Sequence, residues 1–139
     1  PRTLGSATGE LRPIDVLQSD GVRVYAEHWG REGDIGLVAV VDGIDAGACW
    51  IRLLPEGVGG AYVDTETPQL GIALEPPFQH RGFGGQMMRA ALAEAWSAGH
   101  AQVSLTVHPE NPAQRLYARC GFRRIGTVNG YHLMLAKRP

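Results

Sequence analysis

Apolar residues along this chain fall into short blocks separated by glycine, proline and acidic turns. Gly36 to Val41 (G-L-V-A-V-V) is a continuous apolar run, and Gly47 to Leu54 (G-A-C-W-I-R-L-L) follows it after Asp42-Gly43. This pattern predicts two strands joined as an antiparallel hairpin. Residues 55–68 are predicted as a long loop, either functional or merely mobile, with a short strand near Ala61-Tyr62-Val63. Gln69 to Leu74 reads as a third strand. The period then changes: Phe83, Met87, Met88, Ala91, Leu92, Ala95 and Trp96 share one face of a helix that Gly99 stops. Val103, Leu105 and Val107 alternate with polar residues, as in a half-buried strand. Asn111-Pro112 opens a short helix that Gly121 closes, and Phe122–Val128 and Tyr131–Ala136 flank the Asn129-Gly130 hairpin turn.

The first part of the chain is less regular. Residues 1–12 are predicted to be extended or flexible, with a single domain over 13–139. Pro13 suits a first helical position, and Ile14, Leu17, Tyr25 and Trp29 sit at roughly helical spacing, interrupted by Ser19-Asp20-Gly21. One broken helix or two short ones are predicted there. The expected order is helix, β, β, β, helix, β, helix, β, β, an α/β (α+β) fold with a mixed sheet and helices on its faces.

The stretch Ile72–Gln86 (I-A-L-E-P-P-F-Q-H-R-G-F-G-G-Q) carries the candidate chemistry. A strand gives way to a turn with Gly82, Gly84 and Gly85, and the turn opens a helix. Free backbone N–H groups and the positive end of the helix dipole then converge on one small volume, which suits a phosphate or diphosphate. A Cβ there would block close approach and restrict the turn. Two common phosphate motifs fail. A dinucleotide fingerprint needs a third glycine where Met87 stands, and an acid at the end of the next strand, which instead reads Thr106-Val107-His108. A nucleotide P-loop needs Lys-Ser/Thr after the last glycine, where this chain has Gln86-Met87.

Composition narrows the class. At 139 residues, 44% hydrophobic and 19% charged, the chain supports one domain with its own core. A net charge of −1 supplies no field towards nucleic acid or an anionic membrane, so neither is expected as a partner. No apolar run is long enough to cross a bilayer, and no signal peptide is visible. The chain starts at Pro1, so an address carried by preceding residues would not be seen. Cys49 and Cys120 lie far apart in apolar contexts, read as free buried thiols in a reducing cytoplasm. His28, His100 and His132 lack metal-ligand spacing, and no metal is expected.

Two blocks together are similar to the GCN5-related N-acetyltransferase (GNAT) superfamily. Its acyl-CoA pattern Q/R-x-x-G-x-G/A after a strand stands here as Gln79-His80-Arg81-Gly82-Phe83-Gly84, with Ile72-Ala73-Leu74 and Pro76 ahead of it. Its later block, strand–Asn–helix–L-Y-x-x-x-G-F, stands as Val107-His108-Pro109-Glu110-Asn111 and Leu116-Tyr117-Ala118-Arg119-Cys120-Gly121-Phe122. The resemblance covers roughly residues 35–136, and the family's first strand and helix are shortened or absent in 1–34.

The resemblance implies acetyl-CoA as co-substrate and transfer of its acetyl group to a primary amine by direct attack in a ternary complex. It implies that N–H groups from His80 through Gly85 hold the diphosphate, with Arg81 adding charge. The edge of the strand at Ile72, Ala73 and Leu74 would hydrogen-bond the pantetheine amides, in a gap between splayed strands at 69–74 and 102–107. The Leu74 N–H would face the thioester carbonyl. Asn111 would contact pantetheine as well as start its helix, and Tyr117 would protonate the departing thiolate. Thr106 stands where many relatives carry a catalytic acid, which leaves Glu66, Asp64, Glu75 and His108 as base candidates, Glu66 first. Trp50 and Arg52 are read as core and surface, with an acceptor pocket as the alternative. The acceptor is expected to be a small-molecule or peptide amine. The resemblance also implies pairing through the C-terminal strands as a homodimer. Rival readings are a non-catalytic acyl-CoA-binding module and transfer of a longer acyl chain.

Overall fold

The computed structural model describes the backbone of residues 11–16, 22–27 and 34–139, and the side chains of 34–139. Eight strands form one mixed sheet in the order β1-β2-β3-β4-β5-β6-β8-β7. They are β1 (Leu11–Val16), β2 (Val22–Glu27), β3 (Ile35–Val41), β4 (Ile44–Arg52), β5 (Gln69–Leu74), β6 (Gln102–Val107), β7 (Phe122–Val128) and β8 (Tyr131–Lys137). Helix α1 (Phe83–Ser97) joins β5 to β6, and α2 (Ala113–Arg119) joins β6 to β7. Asp42-Gly43 and Asn129-Gly130 all have positive φ, as the predicted hairpin turns require.

The predicted N-terminal helix is replaced by β1 and β2. Val22–Glu27 alternates apolar and polar residues and pairs with β3 over its whole length, so ladder hydrogen bonds outweigh a helical spacing carried by four scattered residues. Pro13 sits where the β1 register slips, at the sheet edge, one of the few strand positions that tolerates a missing N–H. Leu17, Ser19-Asp20-Gly21 and Trp29 lie outside the described residues, as does the predicted flexible segment up to residue 10.

Both crossovers, β5–α1–β6 and β6–α2–β7, join parallel strands and step the same way across the sheet. Right-handed crossovers of that kind place both helices on one face. One core results: Met87, Met88 and Ala91 of α1 and Tyr117 of α2 pack with Leu37, Cys49, Ile51, Val103, Leu105 and Phe122 of the sheet.

The 55–68 loop lies on the polar residues of the sheet, and no strand forms at Ala61–Val63. The Ala61 N–H donates to Gln69 Oε1 at 3.1 Å and its carbonyl accepts from the buried Ser104 hydroxyl at 2.6 Å. Side chains thus satisfy the backbone groups that a strand would have paired. Gln69 Nε2 also donates to the Val58 carbonyl, and Gln102 Nε2 to the Thr67 hydroxyl, which donates to Asp64. The loop is pinned at several points.

Candidate active site

β5 and β6 are parallel but share only the register pair Gln69–Ser104, with the Ser104 N–H donating to the Pro68 carbonyl at 3.0 Å. On its other side β5 follows β4 through six register pairs, Gly47–Leu74 to Arg52–Gln69. The sheet therefore opens between β5 and β6 beyond Gln69. The Glu75 N–H donates to the Ala46 carbonyl at 2.8 Å, which turns the odd-numbered residues of β5 towards β4. Ile72 and Leu74 alternate with them, so their main-chain groups face the opening. Ala73 turns its own towards β4.

A cleft of about 600 Å³ begins at this opening. It is lined by Ile72, Ala73 and Leu74, by His80, Gly82, Gly84 and Gly85, and by Asn111 and Tyr117. Nine of the eleven residues singled out from the sequence thus surround one space. Arg81 and Phe83 do not line it. Phe83 is buried with Val41 and Ala46, and Arg81 donates to the Pro77 carbonyl while its guanidinium lies 5.0 Å from the Phe83 ring centre and 5.7 Å from that of Phe78. The Phe83 main chain still belongs to the first turn of α1, whose leading N–H groups have no partner within the helix.

The three glycines serve different ends. Gly82 has φ 84°, with open space around it, so its requirement is conformational. Gly84 makes close packing possible: a Cβ there would stand 3.2 Å from Leu116 and 3.3 Å from Leu74. At Gly85 a Cβ would meet Leu116 at 3.2 Å and the Arg89 guanidinium at 3.3 Å. His80 holds φ 62° without being glycine, a strained but tolerated conformation for histidine. Gln79 Nε2 donates to the Leu74 carbonyl at 3.0 Å, tying the loop to the end of β5.

Tyr117 is 8% exposed and stacks edge-on with Phe122 at 6.2 Å. Among the described residues no hydrogen-bond partner reaches its hydroxyl. Burial, and secondarily the nearby Cys49 thiol, push its pKa above the ordinary 10.0. Cys49, which shares the core cluster with Tyr117, is the register partner of Ile72. Asn111 Oδ1 accepts from the Ala113 N–H at 2.8 Å, so its capping role is observed, with the amide nitrogen left over at the cleft.

None of the four base candidates lines the cleft. Glu66 and Asp64 border a separate groove with Gly99, His100 and Gln102, at the opposite end of β5 and β6. Five residues of strand at about 3.3 Å each put that end roughly 17 Å from Leu74. Asp64 is further held as a carboxylate by the Thr67 hydroxyl and the Glu66 N–H, which lower its pKa. His108 Nδ1 accepts from the Glu110 N–H at 3.1 Å, so its neutral ring carries the proton on Nε2 and offers no free lone pair. Glu75 caps the 3-10 turn Pro76–Phe78 and is exposed. Trp50 is half-buried and outside the core, its ring lying over Gly71; Arg52 pairs with Asp34 at 3.0 Å. Sequence reasoning missed Arg115 and Arg119, which also line the cleft; their i, i+4 spacing on the short helix was the available signal.

The profile of the acetyltransferase (GNAT) family matches residues 8–122. The chain belongs to this family. Among solved structures, a PaiA N-acetyltransferase from Thermoplasma acidophilum in complex with coenzyme A matches with TM-score 0.63 and 20% identity, over 76% of this chain and 61% of that one. An aminoglycoside acetyltransferase in complex with coenzyme A matches with TM-score 0.64 and 21% identity, over 77% and 68%. A putative GNAT-family acetyltransferase from Bordetella pertussis matches with TM-score 0.60 and 27% identity, over 75% and 65%. The GNAT chain is thus shorter than these proteins, spanning about three-fifths to two-thirds of their lengths. No curated protein matches it significantly. Among the described residues no helix is long and apolar enough to cross a membrane.

Proposed function

We propose that this GNAT-family chain is an N-acetyltransferase that passes the acetyl group of acetyl-CoA directly to a primary amine. The observation that carries the proposal is the early end of the β5–β6 ladder, which leaves the Ile72 and Leu74 edge open into a cleft walled by Tyr117. The residues present fit the co-substrate. The amides at the start of α1, with Gly82 and His80 before them, face the diphosphate. An arm laid along β5 from that end runs inward, so it meets Leu74 first and Ile72 deeper. Ile72, rather than Leu74, then donates its N–H to the thioester carbonyl and stabilises the charge that develops there. Support comes from Tyr117, which packs in one core cluster with Cys49, the register partner of Ile72. As the neutral amine attacks the carbonyl carbon, the carbon–sulfur bond breaks and the Tyr117 hydroxyl gives its proton to the leaving thiolate. The tyrosinate regains a proton from solvent. None of the four base candidates lines the cleft, so the ammonium product of attack releases its proton to water.

Three of the similar structures are of an aminoglycoside acetyltransferase with an aminoglycoside bound, which favours a small-molecule amine as acceptor here. A panel of amines assayed with acetyl-CoA for release of free thiol tests the proposal. Acceptor-dependent thiol release supports it; tight CoA binding with no release for any amine would favour the non-catalytic module.

A further inference from the structure

The cleft carries more positive charge than a diphosphate needs. Arg115 and Arg119 line it from α2, four residues apart and therefore on one helix face. Tyr117, between them, points inward to the core, which sets the two arginines on the exposed side of the helix. Both are exposed, and among the described residues neither makes an ion pair. Arg89 comes from α1 on the other side. Its terminal nitrogens stand where a Cβ on Gly85 would be 3.3 and 3.4 Å away, and with Arg119 it offsets part of the rise that burial gives the Cys120 thiol pKa. Among the described residues no aspartate or glutamate lines the cleft. The chain as a whole has 14 acidic residues against 13 Lys and Arg, so this segregation is not the by-product of a basic protein. Arg81, the obvious cation of the glycine loop, is held across Phe78 and Phe83 instead.

We propose that Arg115 and Arg119 at the cleft mouth, with Arg89 beside Gly85, form a phosphomonoester subsite that reads the 3′-phosphate of coenzyme A. The inference rests on the reading of the cleft as a coenzyme A site. In that ligand the 3′-phosphate sits on the ribose, on the far side of the diphosphate from pantetheine. Tyr117 and Ile72 mark the inner end, so the third phosphate belongs at the outer end, where the arginines are. Guanidinium groups suit it because two donors of one fork match two phosphate oxygens.

Calorimetry with CoA and with dephospho-CoA tests this on the unaltered chain, on Arg115→Ala and Arg119→Ala, and on the double variant. The unaltered chain is expected to bind CoA at least about tenfold more tightly than dephospho-CoA. The double variant should lose most of that preference while keeping the affinity for dephospho-CoA. Equal binding of the two ligands by the unaltered chain, or full discrimination by the double variant, overturns the subsite and leaves the proposed function standing. Binding of neither ligand overturns both.

Discussion

Gln69 and Ser104 form the single rung between β5 and β6. Below that rung the sheet is closed and the 55–68 loop is pinned across it; above it, β5 stays with β4 and β6 with β8. The edge groups at Ile72 and the Leu74 N–H are left without a strand partner, the Leu74 carbonyl being taken by Gln79, and such main-chain groups in a half-buried cleft call for a ligand that supplies the missing bonds.

Tyr117→Phe removes the proposed acid and little else, since no bond among the described residues depends on the hydroxyl. The acetyl-transfer rate should fall about 10²-fold or more, with CoA affinity unchanged. Burial raises the Tyr117 pKa above 10.0, so the phenol stays protonated through neutral and mildly alkaline pH. The rate loss caused by its ionisation should therefore lie above pH 10.0 and be missing from the variant. An unchanged rate in Tyr117→Phe would contradict the acid role.

Gly84 and Gly82 should fail in different ways. Gly84→Val pushes against Leu74 and Leu116, and should weaken CoA binding together with a loss of about 1–3 kcal/mol in stability. Gly82→Ala meets open space but must hold φ 84°. It should cost about 1–2 kcal/mol, and Gly82→Asn less. Urea unfolding beside CoA titration checks both.

Ser104→Ala leaves the buried Ala61 carbonyl without its donor. The expected cost is about 1–3 kcal/mol in stability, with CoA affinity intact because the loop lies at the closed end of the sheet. A large loss of CoA affinity without loss of stability would contradict this division of the molecule.

Alkaline pH should destabilise the fold. Cys49 is fully buried, and burial drives its pKa far above the ordinary 9.0. A pKa raised by folding contributes stability that is complete below the unfolded value and lost as pH rises past it. The urea midpoint should therefore fall above pH 9.0, with a shallower fall in Cys49→Ala. Tyr117 adds the same sign above 10.0.

Much of this was legible in the residues. β5, β6 and β7 fall at the predicted positions, because turn glycines and a clean change of period mark their limits. Nine of the residues expected at the site share the cleft. The N-terminal strands were not legible, because what fixes them is the ladder to β3 rather than any local preference. The side chain of Phe83 and the stacking of Arg81 depend on Phe78 and Val41, partners that a motif does not name. Glu66 lies just before β5 in the chain, but strand direction carries it to the end of the sheet away from the cleft.

The most direct measurement is a titration of the ¹⁵N-labelled chain with CoA, followed by amide chemical shifts. The amides of Ile72, Leu74, Phe83, Gly84 and Gly85 should move together and saturate, while those bordering the groove at Asp64 and His100 stay in place. Saturable shifts confined to any other surface, or none at all, would contradict the account.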